Sequence, residues 1–230
     1  MLAPACWHSN AFGGGCELNN DVEVLDANTR AILESVSRWV LCRGDPAGLA
    51  VVDVGCGDGR LLERLRKNGV QHLAGVGWAA TMPAEVAVFN GVDLSQAGWS
   101  SQLGGRQFDW VVSTEVMEHL VNPFQYLVEL RNIVAPEGRL LLTFPNVHNW
   151  RSIFGYAVAG RFSGFFGPNF NDNHPLHDQH IFIPNMHLVQ YFLKLAGFVI
   201  TEISWVNGRH RLTAQTTMLV AKPCEPIRFS

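Results

Sequence analysis

The sequence lacks an excess of basic residues, a long apolar run and any closely paired cysteines, and each absence excludes a class of protein. Its 17 Lys and Arg residues are outnumbered by 20 Asp and Glu, which gives a formal net charge of −3. Proteins that grip nucleic acid along its length neutralise the phosphates with basic side chains, so no nucleic-acid partner is expected. The longest apolar runs, such as residues 140–142, fall far short of the ~20 residues that span a bilayer, so no transmembrane segment is expected either.

The five cysteines are scattered along the chain, and no two of them form a CxxC pair. This spacing favours neither a zinc ribbon nor a disulfide framework. Isolated cysteines are typical of a reducing compartment, and the sequence therefore predicts a cytoplasmic protein.

The composition is that of a folded domain. Of the 230 residues, 47% are hydrophobic and 16% are charged, and the chain contains 14 Phe and 7 Trp. These values exclude intrinsic disorder, and the length fits one domain better than two. We expect a single domain over residues 1–230, with an irregular, Gly- and Asn-rich N-terminal arm at 1–27.

Short apolar, β-branched runs alternate with helical periodicity along the chain. Strands are predicted at 49–54, 72–76, 86–89, 108–113 and 139–144, and helices at 28–41, 60–67 and 124–134. Beyond an aromatic-rich stretch, a helix is predicted at 188–196 and two further strands at 198–206 and 216–221. Strands that alternate with helices predict an α/β sheet with helices on both faces.

A glycine-rich loop joins the first predicted strand to the helix that follows it. Gly55, Gly57 and Gly59 occupy alternate positions, and Asp53 precedes them. Glycine allows a sharp turn and a close approach to a ligand, and such sheets bind ligands beyond the carboxyl ends of their strands. The GxGxG spacing differs from the GxGxxG of dinucleotide-binding loops, and no Lys-Ser/Thr pair completes a P-loop. Considered alone, the loop could also be a tight βα turn without a ligand.

With Asp53 the loop reads [D/E]xGxGxG and resembles motif I of the class I S-adenosylmethionine (SAM)-dependent methyltransferases. Residues 108–120 resemble the fourth-strand block of that superfamily, and residues 136–142 resemble its turn and fifth strand. Three later segments resemble the branch of methyltransferase types 11 and 23 that contains MetW-like and ubiquinone-biosynthesis-type enzymes, at 144–146, 180–182 and 196–198. The resemblance covers about residues 49–221.

The resemblance implies a Rossmann-like fold, with a seven-stranded, mostly parallel sheet, helices on both faces and the last strand antiparallel to the others. It implies SAM as the cofactor and S-adenosylhomocysteine as the product. The positions that match the family's cofactor site are Asp53, Gly55, Cys56, Gly57, Gly59, Asp93, Leu94, Thr114 and Glu115. Asp93 matches the carboxylate that accepts from the adenine amino group, although Asp is also a preferred helix cap.

One position departs from the family pattern. The family carries an acidic residue at the end of the second strand, where it holds both ribose hydroxyls, and this chain has Gly77 there. Trp78 stacking on the adenine and Glu85 reaching the ribose are alternatives, although neither matches a family position. Two missing hydrogen bonds would weaken cofactor binding by about 1–3 kcal/mol.

The densest group of titratable side chains follows the fourth predicted strand. Glu115, Glu118 and His119 form an ExxEH segment, and residues at i, i+3 and i+4 share one face at the start of a helix. Two carboxylates and an imidazole suit a divalent ion. A later residue would add a ligand, from among His177, Asp178 and His180. Some O-methyltransferases of quinone precursors and small-RNA 2′-O-methyltransferases carry a similar arrangement.

Two other roles remain open for this group. His119 could act as a general base or orient the acceptor, or it could pack as a structural side chain, because many relatives without metal chemistry carry a similar stretch. We take Glu118, His119 and His180 as the catalytic candidates and leave the divalent metal undecided.

The aromatic-rich stretch at 146–183 is interpreted as a cap inserted over the carboxyl edge of the sheet. Trp150, Phe154, Tyr156 and Phe162 would give an apolar wall for a small-molecule acceptor. The alternatives are an amphipathic, membrane-touching segment at 149–166 and a homodimer interface.

These observations together predict a SAM-dependent methyltransferase that acts on a small-molecule acceptor, most simply by O-methylation. Because a fold alone does not establish an activity, two alternatives stay open. One is a degenerate methyltransferase-like binding or regulatory protein, and the other is an enzyme of this fold that uses SAM for a different reaction.

Overall fold

The computed structural model describes residues 26–78, 82, 85–166 and 179–227. Within these ranges the chain forms one seven-stranded sheet with helices packed on both faces. The predicted N-terminal arm at 1–27 lies outside the described residues except for its last two positions.

Seven strands and five α-helices make up the described part of the chain. The strands are β1 (Ala50–Val54), β2 (His72–Gly77), β3 (Ala87–Asn90), β4 (Phe108–Thr114), β5 (Val134–Pro145), β6 (Phe198–Val206) and β7 (Thr216–Pro223). The helices are α1 (Ala27–Leu41), α2 (Arg60–Lys67), α3 (Pro123–Ile133), α4 (Trp150–Ala159) and α5 (Met186–Leu195). Short 3-10 turns lie at Pro46–Gly48, Trp99–Leu103 and Met117–His119. None of the described helices combines the length and the apolar character that crossing a membrane requires.

The strand order β3-β2-β1-β4-β5-β7-β6 places a switch point at the centre of the sheet. β1 pairs in parallel with β2 on one side and with β4 on the other. Strands β2 and β3 are added on one side of β1 and the later strands on the other, so the order of strand addition reverses between β1 and β4. Ligands of open α/β sheets bind beyond the carboxyl ends of the strands at such a point. β7 is antiparallel to both β5 and β6, which confirms the predicted antiparallel last strand.

Two apolar clusters cover the two faces of the sheet. One packs α3 and α5 against it, and the other packs α1 and α2 against the opposite face. Neighbouring residues of β1 enter different clusters, since Val52 belongs to the first and Val51 to the second. A strand buried on both faces reads as a continuous apolar run, which explains why residues 49–54 were recognisable from the sequence.

Two elements differ from the prediction. β5 begins at Val134, before the predicted start at 139, because Phe108 of β4 already pairs with Val134 and the register then shifts before Trp110 pairs with Arg139. The turn predicted at 136–138 is therefore an irregularity within a long strand. α4 was not predicted; it begins with a side-chain cap from Asn149 and ends at Gly160.

The buried carboxylate of Glu129, on α3, binds the 3-10 turn that precedes β4. Glu129 accepts hydrogen bonds from the Gly98 N–H (2.7 Å), the N–H and hydroxyl of Ser100, and the Gln125 side-chain amide (2.9 Å). Burial alone would raise the pKa of Glu129, but these hydrogen bonds outweigh it and hold the pKa below its usual value. The contact secures the turn that buries Trp99 in the core.

Candidate active site

The glycine loop after β1 adopts a conformation that side chains would disfavour. Gly55, Gly57 and Gly59 all have positive φ, at 86°, 50° and 79°. A Cβ added at Gly55 would lie 2.3 Å from Cγ2 of Val116, whereas one added at Gly57 would meet no heavy atom within 4 Å. Gly55 is thus required for packing against the segment that follows β4, while the backbone at Gly57 faces open space. This arrangement fits a loop that a ligand approaches closely.

Asp53, at the carboxyl end of β1, is buried without the hydrogen bonds that a buried carboxylate normally receives. Its Oδ1 accepts no hydrogen bond from the described residues. Burial, and secondarily the charge of Asp58, raises the pKa of Asp53 to about 7. An unsatisfied buried acceptor is costly, so this position requires a donor or a positive charge that the described side chains do not provide.

Cys56 contributes its backbone, and not its thiol, to the loop. The N–H groups of Gly55 and Cys56 both donate to the carbonyl of Val76 on β2, at 2.8 and 3.2 Å. The Cys56 side chain packs inward toward β2, where Gly75 leaves room for it. Burial, reinforced by the charge of Asp53, raises the pKa of the Cys56 thiol to about 12, so the thiol remains protonated at neutral pH.

The ExxEH segment does not begin an α-helix, and this part of the prediction was wrong. Glu115 has a positive φ of 52°, and Met117–His119 form a 3-10 turn. The Glu115 N–H donates to the carbonyl and the hydroxyl of Thr143 on β5, and that hydroxyl donates to Oε1 of Glu115 at 2.9 Å. Burial raises the pKa of Glu115 to about 7. Its side chain is therefore held by β5 and does not share a helical face with His119.

Three of the predicted residues do meet in one place. A carboxylate oxygen of Glu118 and one ring nitrogen each of His119 and His180 lie within 4.8 Å of one another. The two imidazole rings are in edge-to-face contact, with centroids 4.7 Å apart. The backbone explains this meeting, because the N–H groups of Ile181 and Phe182 both donate to the carbonyl of Glu118, at 2.8 and 2.9 Å. His177 and Asp178, the other ligand candidates, lie outside the described residues.

The three side chains share an unusual electrostatic environment. Neither carboxylate oxygen of Glu118 nor Nδ1 of His180 has a hydrogen-bond partner among the described residues. Burial first, and the nearby Glu115 charge second, raise the pKa of Glu118 well above its usual value. Burial, with His119 adding to it, lowers the pKa of His180 to about 4, so this imidazole is neutral and keeps a lone pair.

The cluster lies directly beside the glycine loop. Val116, between Glu115 and the cluster, packs on Gly55. Tyr126 of α3 donates to the Ser113 hydroxyl at 2.8 Å. Burial raises the pKa of Tyr126, and the nearby charges of Asp53 and Glu118 raise it further. Neither Tyr126 nor Thr143 was predicted as a neighbour of this site. The sequence offered one signal for Thr143, because a hydroxyl side chain interrupts the apolar run of β5 there.

The predicted adenine-side residues lie on the loop after β3. Asp93 is exposed, and its Oδ1 accepts from the Ser95 N–H at 2.9 Å while Oδ2 accepts from the Gln96 side chain at 3.4 Å. Asp93 therefore stabilises a turn, and no helix begins there as the alternative interpretation expected, while its role toward adenine stays a prediction. Leu94 is half-buried against the core, and Thr114 is half-buried at the end of β4.

The structure gives a backbone reason for the missing acidic residue at the end of β2. Gly77 has a φ of 130°, a value that residues with side chains rarely adopt, and its carbonyl accepts from the Gly91 N–H at 2.9 Å. Trp78 follows with 72% of its surface exposed. Glu85 instead lines a cleft with His72 at the amino edge of the sheet, so the suggestion that it reaches the ribose was wrong.

The aromatic cap at 146–183 is described as far as residue 166 and again from 179. Trp150, Phe154 and Tyr156 are each more than half exposed, and their role as an apolar wall for the acceptor stays a prediction. Phe165 is buried and contacts the His180 ring, with centroids 5.1 Å apart. Among the cap aromatics in these ranges, Phe165 therefore makes the contact with the cluster.

The strand order, the antiparallel β7 and the glycine loop at the switch point define an α/β protein of the class I methyltransferase fold. Known structures agree. Magnesium protoporphyrin IX methyltransferase from Synechocystis PCC 6803, solved with bound SAH, superimposes with a TM-score of 0.61 at 20% identity, over 88% of this chain and 89% of that one. A SAM-dependent methyltransferase from Archaeoglobus fulgidus gives 0.59 at 15% identity, over 84% and 93%.

The family model of the methyltransferase domain matches residues 27–203. The chain therefore belongs to the methyltransferase domain family. Among curated proteins it is 28% identical over 141 residues to the ubiquinone biosynthesis O-methyltransferase of Dinoroseobacter shibae, covering 59% of this chain and 56% of that protein. It is 31% identical over 120 residues to the protein of the same name from Maricaulis maris, covering 49% and 46%. The chain thus spans about half the length of the curated relatives it matches.

Proposed function

We propose that this protein transfers the methyl group of SAM to a hydroxyl oxygen of a small-molecule acceptor. The observation that carries the proposal is the position of the cluster of Glu118, His119 and His180, which adjoins the glycine loop through Val116 and Gly55. The family membership and the O-methyltransferase names of the curated relatives support the same reaction class.

The loop residues fit the methionine end of SAM. The buried Asp53 lacks a donor at Oδ1, and the ammonium group of the cofactor would provide both donors and positive charge. The open space at Gly57 admits a ligand to the backbone. Asp93 would accept from the adenine amino group with the lone pairs that its turn hydrogen bonds leave. Bound SAM supplies a methyl group that is already activated, so the protein's task is to hold the acceptor and manage its proton.

We assign the cluster of Glu118, His119 and His180 to a divalent cation. His119 Nδ1 pairs with the Gln179 carbonyl at 3.1 Å, and since a carbonyl only accepts, Nδ1 carries the proton and Nε2 keeps the lone pair. Glu118 adds a carboxylate with no competing donor, and His180 adds a neutral imidazole. This mixed nitrogen and oxygen set suits a divalent ion, which would lower the pKa of an acceptor hydroxyl and hold it in place.

The alternative role within the same reaction is a metal-free one. His119 Nε2 would then take the acceptor proton directly as a general base. In that case Glu118 and His180 position the imidazole and bind no ion. The two roles predict different responses to chelation, which the experiment below uses.

The test is methyl transfer from labelled SAM to a panel of phenols, carboxylates and amines, with product mass as the readout and with EDTA or added Mg²⁺ or Mn²⁺. We expect the phenols to be converted to their methyl ethers. EDTA should abolish turnover, and added metal should restore it. Glu118→Gln and His180→Gln should abolish the metal response, while the surface variants Glu137→Gln and His210→Gln should not. Turnover that is unchanged by EDTA would assign the general-base role. Absence of transfer to every acceptor, together with no binding of S-adenosylhomocysteine by calorimetry, would overturn the proposed function.

We also propose a reducing, cytoplasmic setting. Among the described residues, the thiols of Cys56 and Cys224 form no disulfide, as is usual in such a compartment. Thiol titration of the protein isolated under non-reducing conditions tests this, since paired cysteines would contradict it.

A further inference from the structure

The ends of β1, β2 and β3 lie side by side at the carboxyl edge of the sheet. β2 stands between the other two strands and pairs in parallel with both of them. The proposed function puts the methionine end of SAM on the loop after β1 and the adenine at Asp93, on the loop after β3. Because neighbouring strands are about 4.8 Å apart, a ligand held on both loops crosses the end of β2 with its middle part, the ribose.

The last residue of β2, Gly77, has no side chain to offer a ligand at this point. A Cβ added at Gly77 would lie 3.5 Å from Cα of Gly55 and 3.9 Å from the backbone nitrogen of Cys56. A side chain at this position would therefore point toward the glycine loop. Since glycine stands there instead, a hydrogen-bonding side chain for the ribose has to come from a neighbouring element.

Asn90, the last residue of β3, occupies the neighbouring position. Asn90 is the register partner of Gly77 in the parallel pair of β2 and β3. Residues that are paired across two strands lie on the same face of a sheet. At Gly75, two residues before Gly77 on the same face, an added Cβ would lie 3.0 Å from the side chains of Cys56 and Leu62. This face is therefore the one that carries the glycine loop and α2.

The alternation of side chains along β3 agrees with this placement. Ala87 and Phe89 pack against the apolar cluster of α3 and α5, whereas Val88 and Asn90 are exposed. Successive residues of a strand project from opposite faces of the sheet. Asn90 therefore projects from the face of the glycine loop, at the edge where the ligand would cross.

The turn after β3 fixes both the backbone and the side chain of Asn90. The N–H of Gly91 donates to the carbonyl of Gly77 and to Oδ1 of Asn90, each at 2.9 Å. A Cβ added at Gly91 would meet no heavy atom within 4 Å, as is also true at Gly57. The Asn90 amide is thus held beside a stretch of backbone that a ligand can approach closely.

We propose that Asn90 binds the ribose hydroxyls of SAM in place of the acidic residue that is missing at Gly77, an assignment that rests on the proposed function. An amide carries two N–H donors and a carbonyl oxygen, so it can donate to one of two adjacent hydroxyls and accept from the other. The indole of Trp78 has one donor and no acceptor, and Glu85 lies at the amino edge of the sheet. Neither of these side chains matches a pair of hydroxyls as an amide does.

Calorimetric titration of the full chain tests the assignment with two ligands, S-adenosylhomocysteine and its 2′,3′-dideoxy analogue, which lacks both ribose hydroxyls. The unaltered chain should bind S-adenosylhomocysteine about 25-fold more tightly than the analogue, because each hydrogen bond contributes about fivefold. Asn90→Ala should bind the two ligands with equal affinity, since it removes the group that distinguishes them. Asn90→Asp should keep the discrimination and increase it about fivefold, because hydrogen bonds to a carboxylate are stronger than those to an amide.

The matched control is Gln107→Ala, which removes an exposed amide immediately before β4, at the amino edge of the sheet. This variant should discriminate between the ligands as the unaltered chain does, and thermal melting should show that all three variants fold. Full discrimination in Asn90→Ala would overturn the assignment, and so would equal binding of the two ligands by the unaltered chain. Both outcomes leave the proposed function intact, because S-adenosylhomocysteine still binds. An unaltered chain that does not bind S-adenosylhomocysteine would overturn the assignment and remove the cofactor site on which the proposed function depends.

Discussion

Two buried glutamates on neighbouring elements show how differently one residue type is used in this molecule. Glu129 is 4% exposed and receives four hydrogen bonds, and its pKa lies below the usual value. Glu118 is fully buried and receives none from the described residues, and its pKa lies well above the usual value. A satisfied carboxylate of the first kind stabilises the fold, whereas an unsatisfied one of the second kind costs stability and is retained for what it can bind.

The largest effect that tests this comparison is on activity. We expect Glu118→Gln to lower the rate of methyl transfer by roughly 100-fold or more, because it removes the charged ligand or the positioning group at the acceptor oxygen. Its thermal stability should be equal to or higher than that of the unaltered chain, since the substitution removes a buried acid that lacks partners. Turnover of labelled SAM and melting temperature measure the two effects. A large loss of stability with little loss of turnover would reverse the roles assigned to the two glutamates.

The second effect is on stability. Glu129→Ala should lower the free energy of unfolding by about 3 kcal/mol, because it leaves the buried donors of Gly98 and Ser100 without an acceptor. Urea denaturation measures this loss, and turnover per folded molecule should stay unchanged. The comparison variant is Glu63→Ala, whose ion pairs with Arg66 and Lys67 lie at the surface and should contribute less than about 1 kcal/mol. Similar losses of unfolding free energy for the two variants would show that the buried hydrogen bonds of Glu129 stabilise the fold no more than surface ion pairs do.

A smaller effect is expected at Tyr126, whose pKa is raised by burial and by the charges of both Asp53 and Glu118 but whose hydroxyl already donates to Ser113. Tyr126→Phe removes the bond to Ser113 and should lower the free energy of unfolding by about 1 kcal/mol. Ser113→Ala provides the matched half of a double-mutant cycle. If the hydroxyl pair acts only in folding, the binding of S-adenosylhomocysteine will be the same in all members of the cycle. A change in that binding would extend the functional region to α3.

The smallest effect appears only in acid. Because the folded-state pKa of Glu129 is lowered, its stabilisation is present above the unfolded-state value near 4.5 and is lost as the pH falls through the folded-state value. The difference in unfolding free energy between the unaltered chain and Glu129→Gln should therefore be constant at neutral pH and shrink below about pH 4.5. Chemical denaturation at a series of pH values measures it. A difference that grows in acid would contradict the assigned sign.

The sequence was informative wherever a local pattern determines the structure. The apolar run of β1, the glycines after it and the alternation of strands and helices along the chain follow from side-chain periodicity and from the conformations that glycine permits, whereas the antiparallel last strand was implied by the resemblance. The separate positions of Glu118, His119 and His180 were also recognisable, because the resemblance identified them one by one.

What the sequence could not provide was geometry that depends on distant partners. Glu115 was expected on a helix with His119, but two hydrogen bonds to Thr143 on β5 hold it in a positive-φ conformation instead. The existence of α4 was hidden because it is stabilised by the β6–β7 loop about 60 residues later in the chain. The satisfied state of Glu129 likewise depends on a turn about 30 residues earlier. None of these partners is visible in a local window of sequence.

The backbone conformation of Gly77 also limits how this chain could be redesigned. At a φ of 130° any residue with a side chain would be strained by about 1–3 kcal/mol, so an aspartate or glutamate introduced there would destabilise the fold. The peptide would first have to rotate, which would disturb the hydrogen bond from Gly91 to the Gly77 carbonyl. A redesign that adds a carboxylate for the ribose would therefore have to place it at a position other than 77.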